Sequence, residues 1–280
     1  MNKQVYRYEE SQRELSQFMD NALAAWPYPY KTAIIETRLG KTHVFTAGDQ
    51  EKPALLLLHG AQSNLLSWGG DIPQYLADYY VIAPDIPGEA GKSDPVLMHY
   101  NNDDAVNWLN DLLDALGVHE ATIIGMSLGG YYAMRYASAY PQKVKKLALI
   151  APGGIVKPGI KLFFTALKYS GKSMKDPERA KKMVFGDAEV HPMAVQFFML
   201  TQKHMKPRIN PLPLIHDKTL QGILAPMLFI LGENDALFSA KKAAQRIAAA
   251  VPKAKTVVIP QGGHGLIMQA ENIVQFLKEG

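Results

Sequence analysis

There is no cysteine among the 280 residues. That removes disulfides, thiolate nucleophiles, cysteine-ligated zinc and iron–sulfur clusters together. Charge of one sign is also scarce: 30 Lys and Arg stand against 26 Asp and Glu, a net of +4, while 48% of the residues are hydrophobic. So weak a charge on so apolar a chain excludes disorder as its main state. No run reaches about 18 apolar residues, so no segment reads as a bilayer span. The first twelve residues are polar and lack the apolar core of a signal peptide. The dinucleotide fingerprint G-x-G-x-x-G is absent too. A cytoplasmic protein without nucleic-acid or membrane partners is the expectation, either monomeric or homodimeric.

What is present is an alternation of short β-like runs with helical patterns. The runs cover 33–37, 43–46, 54–58, 80–83, 121–124, 147–150, 227–231 and 256–259. Those at 55–58, 147–150 and 227–231 are apolar on both faces, as strands are in a parallel sheet covered by helices on each side. Between runs lie helices such as 103–116, with Ala105, Leu109, Leu112, Leu113 and Leu116 on one stripe and Gly117 at its end. The pattern predicts an α/β protein with a doubly wound, mostly parallel eight-stranded sheet. Leu15, Phe18, Met19, Ala22, Leu23 and Trp26 predict a further amphipathic helix that ends before Pro27 and packs on the domain.

From 153 to 217 the rhythm breaks. This stretch carries helix-like pieces, punctuated by six prolines, and no strand pattern. An insertion so long inside a compact α/β unit reads as a lid or binding segment. Residues 157–218 hold 12 Lys and Arg against 5 Asp and Glu, so the basic character of the chain resides there. A solvated helical face accounts for this charge, and attraction of an anionic substrate is the sharper reading. The organisation expected is a helical extension over 1–32, a core of 33–152 and 218–280, and a helical lid over 153–217.

The chemistry concentrates at strand ends. Gly125-Met126-Ser127-Leu128-Gly129-Gly130 follows the run 121–124 and opens a helix predicted over 128–140. A serine at such a turn has small neighbours because the backbone is strained there, and its Oγ stands above the sheet beside unpaired helix N–H groups. A serine hydroxyl needs a base, and the base an orienting acid. Of eight histidines, His43, His99, His119, His191, His204 and His216 read as packing or surface residues. His264 lies in Gln261-Gly262-Gly263-His264-Gly265, between the last run and a final helix predicted over 266–278. The acid is sought in Gly232-Glu233-Asn234-Asp235; Asp235 is preferred because Glu233 lies nearer the strand end, although an Asx-turn also explains it. A second oxyanion donor is expected from His59-Gly60-Ala61-Gln62, with Ala61 N–H paired with Leu128 N–H and His59 structural. His191, His204 and His216 are too widely spaced for a zinc site, so no metal is implied.

Taken together, the strand–His-Gly loop, Asp85-Ile-Pro-Gly-Glu-Ala-Gly-Lys-Ser93, Gly-Met-Ser-Leu-Gly-Gly, Gly-Glu-Asn-Asp and Gly-Gly-His-Gly resemble the α/β-hydrolase superfamily. In particular the chain is similar to carboxylesterases and carbon–carbon bond hydrolases with a helical lid. The resemblance implies Ser127 as nucleophile, Asp235 as acid, His264 as base, Ala61 and Leu128 as oxyanion hole, and no cofactor. It implies that Asp85, Gly88, Gly91 and Ser93 shape a loop. A serine at the nucleophile position points away from dehalogenases and epoxide hydrolases, which use aspartate. The expected substrate is a small molecule, a carboxylic ester of small to medium apolar groups. Lid residues Phe163, Phe164, Phe197, Phe198 and Met199 offer apolar lining for it. The alternatives are hydrolysis of a carbon–carbon bond in a keto-acid substrate by the same triad, and a ligand-binding or signalling protein on the same scaffold.

Overall fold

A computed structural model describes residues 5–157, 182, 184–186, 190–206, 208 and 210–279. Eight strands run β1 Tyr30–Thr37, β2 Gly40–Ala47, β3 Ala54–Leu58, β4 Tyr80–Pro84, β5 Ala121–Met126, β6 Val144–Ile150, β7 Met227–Gly232 and β8 Lys255–Ile259. They form one sheet in the order β1-β2-β4-β3-β5-β6-β7-β8. The β1–β2 and β2–β4 pairs are antiparallel and every later pair is parallel. The expected doubly wound, mostly parallel sheet is therefore the fold.

The double burial read from sequence divides the side chains cleanly. Leu56, Leu58, Leu147, Leu149, Phe229 and Leu231 face one core. Leu55, Leu57, Ala148, Ile150, Leu228 and Ile230 face the other. The first core is closed by α2 (Asp104–Ala115), α3 (Leu128–Ala139) and, further along the chain, Ala240–Ala250; the second by α1 (Ser11–Ala24) and Ala270–Lys278. With α4 (Pro192–His204) and the short α5 (Asp217–Gln221) between, these last two helices are α6 and α7. Strands buried on two faces need this covering, and the alternation of side chains across the pleat provides for it. No helix among the described residues is long and apolar enough to cross a membrane.

Several boundaries differ from expectation, β2 starting at Gly40 rather than 43 and β6 at Val144 rather than 147, and two more have a visible cause. β1 begins at Tyr30 rather than 33, because all eight of its residues pair with β2 although nearly all are exposed. The final helix begins at Ala270 rather than 266. Met268 has φ +59, which no helix accommodates, and the buried Asp71 carboxylate accepts the Ala270 N–H at 2.9 Å, fixing the start there. Burial pushes the Asp71 carboxyl up to about 6 against the pull of the backbone donors of residues 268–270.

Residues 5–7 run alongside the end of α4. Lys206 N–H donates to Val5 O and Arg7 N–H to His204 O, both at 2.9 Å. Val5, Tyr6 and Leu15 share a small apolar cluster with Ala90, Phe197 and Met205. The amino-terminal segment and α4 are thus one packed unit against the core.

Candidate active site

Ser127 sits between β5 and α3 with φ +48 and ψ −107, a region an L-residue occupies only under constraint. The constraint is visible in its neighbours. A methyl group at Gly129 would lie 2.1 Å from Leu58 O, and one at Gly125 would lie 2.7 Å from Gly129 O, so neither position admits a side chain. Ser127 N–H donates to Ile150 O at 2.9 Å, and its carbonyl accepts from Tyr131 and Gly153 at 3.0 Å each. The turn is pinned to β3, β6 and α3 at once, and the hydroxyl is held above the sheet.

The loops after β7 and β8 meet it there. His264 Nε2 lies 2.9 Å from Ser127 Oγ, and its Nδ1 lies 2.8 Å from Asp235 Oδ2. An ionised carboxylate only accepts, so Nδ1 carries the ring proton and Nε2 is free to accept from the serine. Asp235 Oδ1 accepts from Leu237 N–H at 2.7 Å and Phe238 N–H at 3.2 Å, which makes it an Asx-turn residue and the histidine's partner together. Its carboxylate is fully buried and the imidazole is largely so, with the Phe238 ring edge-on to it at 5.9 Å. Glu233 has a separate task, accepting from Gln261 N–H at 3.0 Å and so steadying the loop that carries His264. Gly232 and Gly263 pass so closely that a methyl group on Gly232 would lie 2.1 Å from Gly263 O.

The loop after β3 flanks the serine from the other side; a methyl group on Gly60 would rest 3.6 Å from Ser127 Cβ. Among the described residues, neither Ala61 N–H nor Leu128 N–H has an acceptor. His59 is structural, as expected. Its Nε2 accepts from Ile86 N–H at 2.9 Å, which leaves Nδ1–H to donate to Gly60 O at 2.8 Å. Burial drives its pKa down and keeps the ring neutral. Asp85 organises the next loop, accepting from Leu65 N–H, Lys92 N–H and the His43 ring. Burial opposes its charge, yet the His43 ring and the backbone donors hold the carboxyl below the usual carboxylate range. Ser93 Oγ donates to Asp85 O and accepts from His43 N–H.

Other sequence expectations fare unevenly. Phe163 and Phe164 lie outside the described residues. Phe197 is 8% exposed, and its ring lies tilted against that of Phe18 at 5.5 Å within the amino-terminal cluster. Phe198 and Met199 are half-buried on α4. His204 is buried with Nδ1 3.1 Å from Ser11 Oγ. No group of three or more potential metal ligands occurs among the described residues. Sequence reasoning missed Glu89, a buried carboxyl whose Oε2 accepts from Gln62 N–H at 2.6 Å. A glutamate set between the glycines of the Asp85–Ser93 loop was the available signal.

A strained serine on a strand-to-helix turn, hydrogen-bonded to a histidine and then to a buried aspartate, defines the arrangement of a serine hydrolase. A sequence profile for the alpha/beta hydrolase fold matches residues 53–197. The chain is 31% identical over 268 residues to the uncharacterized carboxylesterase nap of Bacillus subtilis (strain 168), covering 92% of this chain and 88% of that one. It is 27% identical over 275 residues to the carboxylesterase YbfK of the same organism, covering 95% and 92%. The crystal structure of naproxen esterase from Bacillus subtilis superposes with a TM-score of 0.84 at 27% identity, over 97% of this chain and 100% of that one. The chain belongs to the α/β-hydrolase fold family.

Proposed function

We propose that this protein is a serine carboxylesterase that hydrolyses esters of small to medium apolar groups through an acyl-enzyme. One observation carries the reading: the unbroken hydrogen-bonded chain Ser127–His264–Asp235 beside two backbone N–H groups that have no acceptor among the described residues. His264 Nε2 takes the Ser127 proton as Oγ attacks the ester carbonyl. The carbonyl electron pair moves to oxygen, and the oxyanion is stabilised by Ala61 N–H and Leu128 N–H. His264 then protonates the departing alkoxide, and the C–O bond breaks. Water, deprotonated by the same nitrogen, attacks the acyl-enzyme and releases the acid. Asp235 stabilises the imidazolium throughout.

The reading extends to organisation: a hydrolase core of 33–152 and 218–280, a helical extension over 1–32, and a lid over 153–217. Its support is that the insertion reaches both loops of the site. Gln202 Nε2 donates to Gln62 Oε1 at 3.1 Å, and Gly265 N–H donates to Val184 O at 2.7 Å. A cytoplasmic location and a monomer or homodimer belong to the same proposal.

The test is turnover of p-nitrophenyl acetate and butyrate. Wild type hydrolyses them, and Ser127→Ala loses at least about 10³-fold; equal rates would falsify the reading. The positive charge of the 157–218 segment favours a second reading, cleavage of a carbon–carbon bond in an anionic keto acid. Inert esters together with cleaved diketo acids would establish that instead. A binding or signalling protein would neither turn over esters nor react with a fluorophosphonate within minutes.

A further inference from the structure

Glu89 lies where a carboxylate is costly. It is 3% exposed, and burial pushes its carboxyl up to about 7. No hydrogen bond reaches Oε1 among the described residues, and the Arg208 guanidinium stands off at 3.9 Å. A methionine or leucine would fill the space without an orphaned polar atom. Packing therefore does not explain the choice of residue; the one strong bond it makes does.

That bond, 2.6 Å from Gln62 N–H to Oε2, holds the peptide between Ala61 and Gln62. Gln62 has φ +53, a strained conformation for a residue with a side chain. The preceding peptide is held as well, because the His59 ring donates to Gly60 O on the edge opposite Ala61 N–H. With both flanking peptides fixed, Ala61 has no free rotation, and its N–H has one direction. The Gln62 side chain carries a further tie, accepting from Gln202 Nε2 on α4 at 3.1 Å and donating to Lys206 O at 3.5 Å.

The geometry points to Glu89 and Gln62 as a positioning pair that aims the Ala61 N–H at the reacting carbonyl and links that aim to the seating of α4. The inference rests on the esterase reading, in which Ala61 N–H serves the oxyanion. Neither side chain touches a reacting atom. Loosening the pair lets Gln62 relax and Ala61 N–H turn away. An oxyanion donor acts most strongly in the transition state, so the loss falls on kcat and leaves KM in place.

The experiment measures kcat and KM for p-nitrophenyl butyrate with the full chain, its Glu89→Leu, Glu89→Gln and Gln62→Gly variants, and a thermal melt of each. Glu89→Leu removes the acceptor and is expected to lower kcat about tenfold or more with KM within about twofold, below the roughly 10²–10³ of losing a donor outright. Glu89→Gln retains an amide oxygen for Gln62 N–H and is expected to recover kcat to within about threefold of wild type. Gln62→Gly keeps the backbone donor, suits φ +53 and cuts the tie to α4; its kcat is expected to fall severalfold at unchanged KM. Equal kcat in Glu89→Leu and wild type, equal losses in the two Glu89 variants, or a loss confined to KM would overturn the inference. Should Glu89→Leu fail to fold, Gln62→Gly decides, a wild-type kcat overturning it. A wild type that neither hydrolyses the ester nor reacts with a fluorophosphonate would indicate failure of the esterase reading instead.

Discussion

Glu89 makes stability depend on pH with a sign that can be worked out from its burial. In the native state its carboxyl is held at about 7 by desolvation, against 4.5 when unburied. Between those values the folded protein binds more protons at this site than the unfolded chain does. Stability from this group is therefore highest below about pH 4.5 and falls as pH rises through about 7, where the buried group ionises. At about 1.4 kcal/mol per pH unit the full swing is about 3 kcal/mol, a large fraction of the stability of an ordinary domain. Asp71 and Asp85 also titrate, so the quantity to measure is a difference between two proteins that share them. Wild type and Glu89→Gln are unfolded with guanidinium at intervals from pH 4.5 to 8, followed by tryptophan fluorescence. The variant's advantage should grow by about 3 kcal/mol across that interval at constant m-value. Parallel curves would show that Glu89 does not titrate in the folded protein as its burial requires.

Two further outcomes follow from the site. Asp235→Asn keeps the shape but can donate to Nδ1, so the ring proton moves to Nε2 and the serine loses its acceptor; kcat should fall about 10⁴-fold with the melting temperature little changed. Gly129→Ala forces a methyl group against Leu58 O at 2.1 Å, and β3 and α3 must part by about 1 Å. That strain should cost about 3 kcal/mol or more in thermal melts, and any folded fraction should be at least about 100-fold less active. A Gly129→Ala protein with native stability and activity would mean the close passage at the elbow is not required.

The hydrogen-bonded chain Ser127–His264–Asp235 was legible because each member sits at the end of an apolar run among small residues. Strand ends of a parallel sheet share one edge, so Ser127, Asp235 and His264 could be brought together on paper although they lie far apart in the chain. Strand boundaries were legible where both faces are buried, as at Leu55–Leu58, and less so at β1, whose residues pair by backbone alone and are mostly exposed. The start of the last helix was hidden because Met268 and Asp71 set it, and neither a left-handed methionine nor a cap from a distant loop has a local pattern. Phe197 reads from the sequence as apolar lining for the substrate. Its contact with Phe18, far away in the chain, is a tertiary feature that no local pattern announces. Glu89 is the same kind of case: its place between glycines marks the loop as tight, but its hydrogen bond crosses to the loop that holds Gln62, and that pairing has no local pattern.

The central claim is that Ser127 is made nucleophilic by His264. Reaction with a fluorophosphonate followed by peptide mass spectrometry tests it most directly, in wild type, Ser127→Ala and His264→Ala. Stoichiometric modification at Ser127 in wild type, none in Ser127→Ala and labelling at least about 10³-fold slower in His264→Ala is the predicted result. An adduct on another residue, or undiminished labelling of Ser127 without the imidazole, would contradict it.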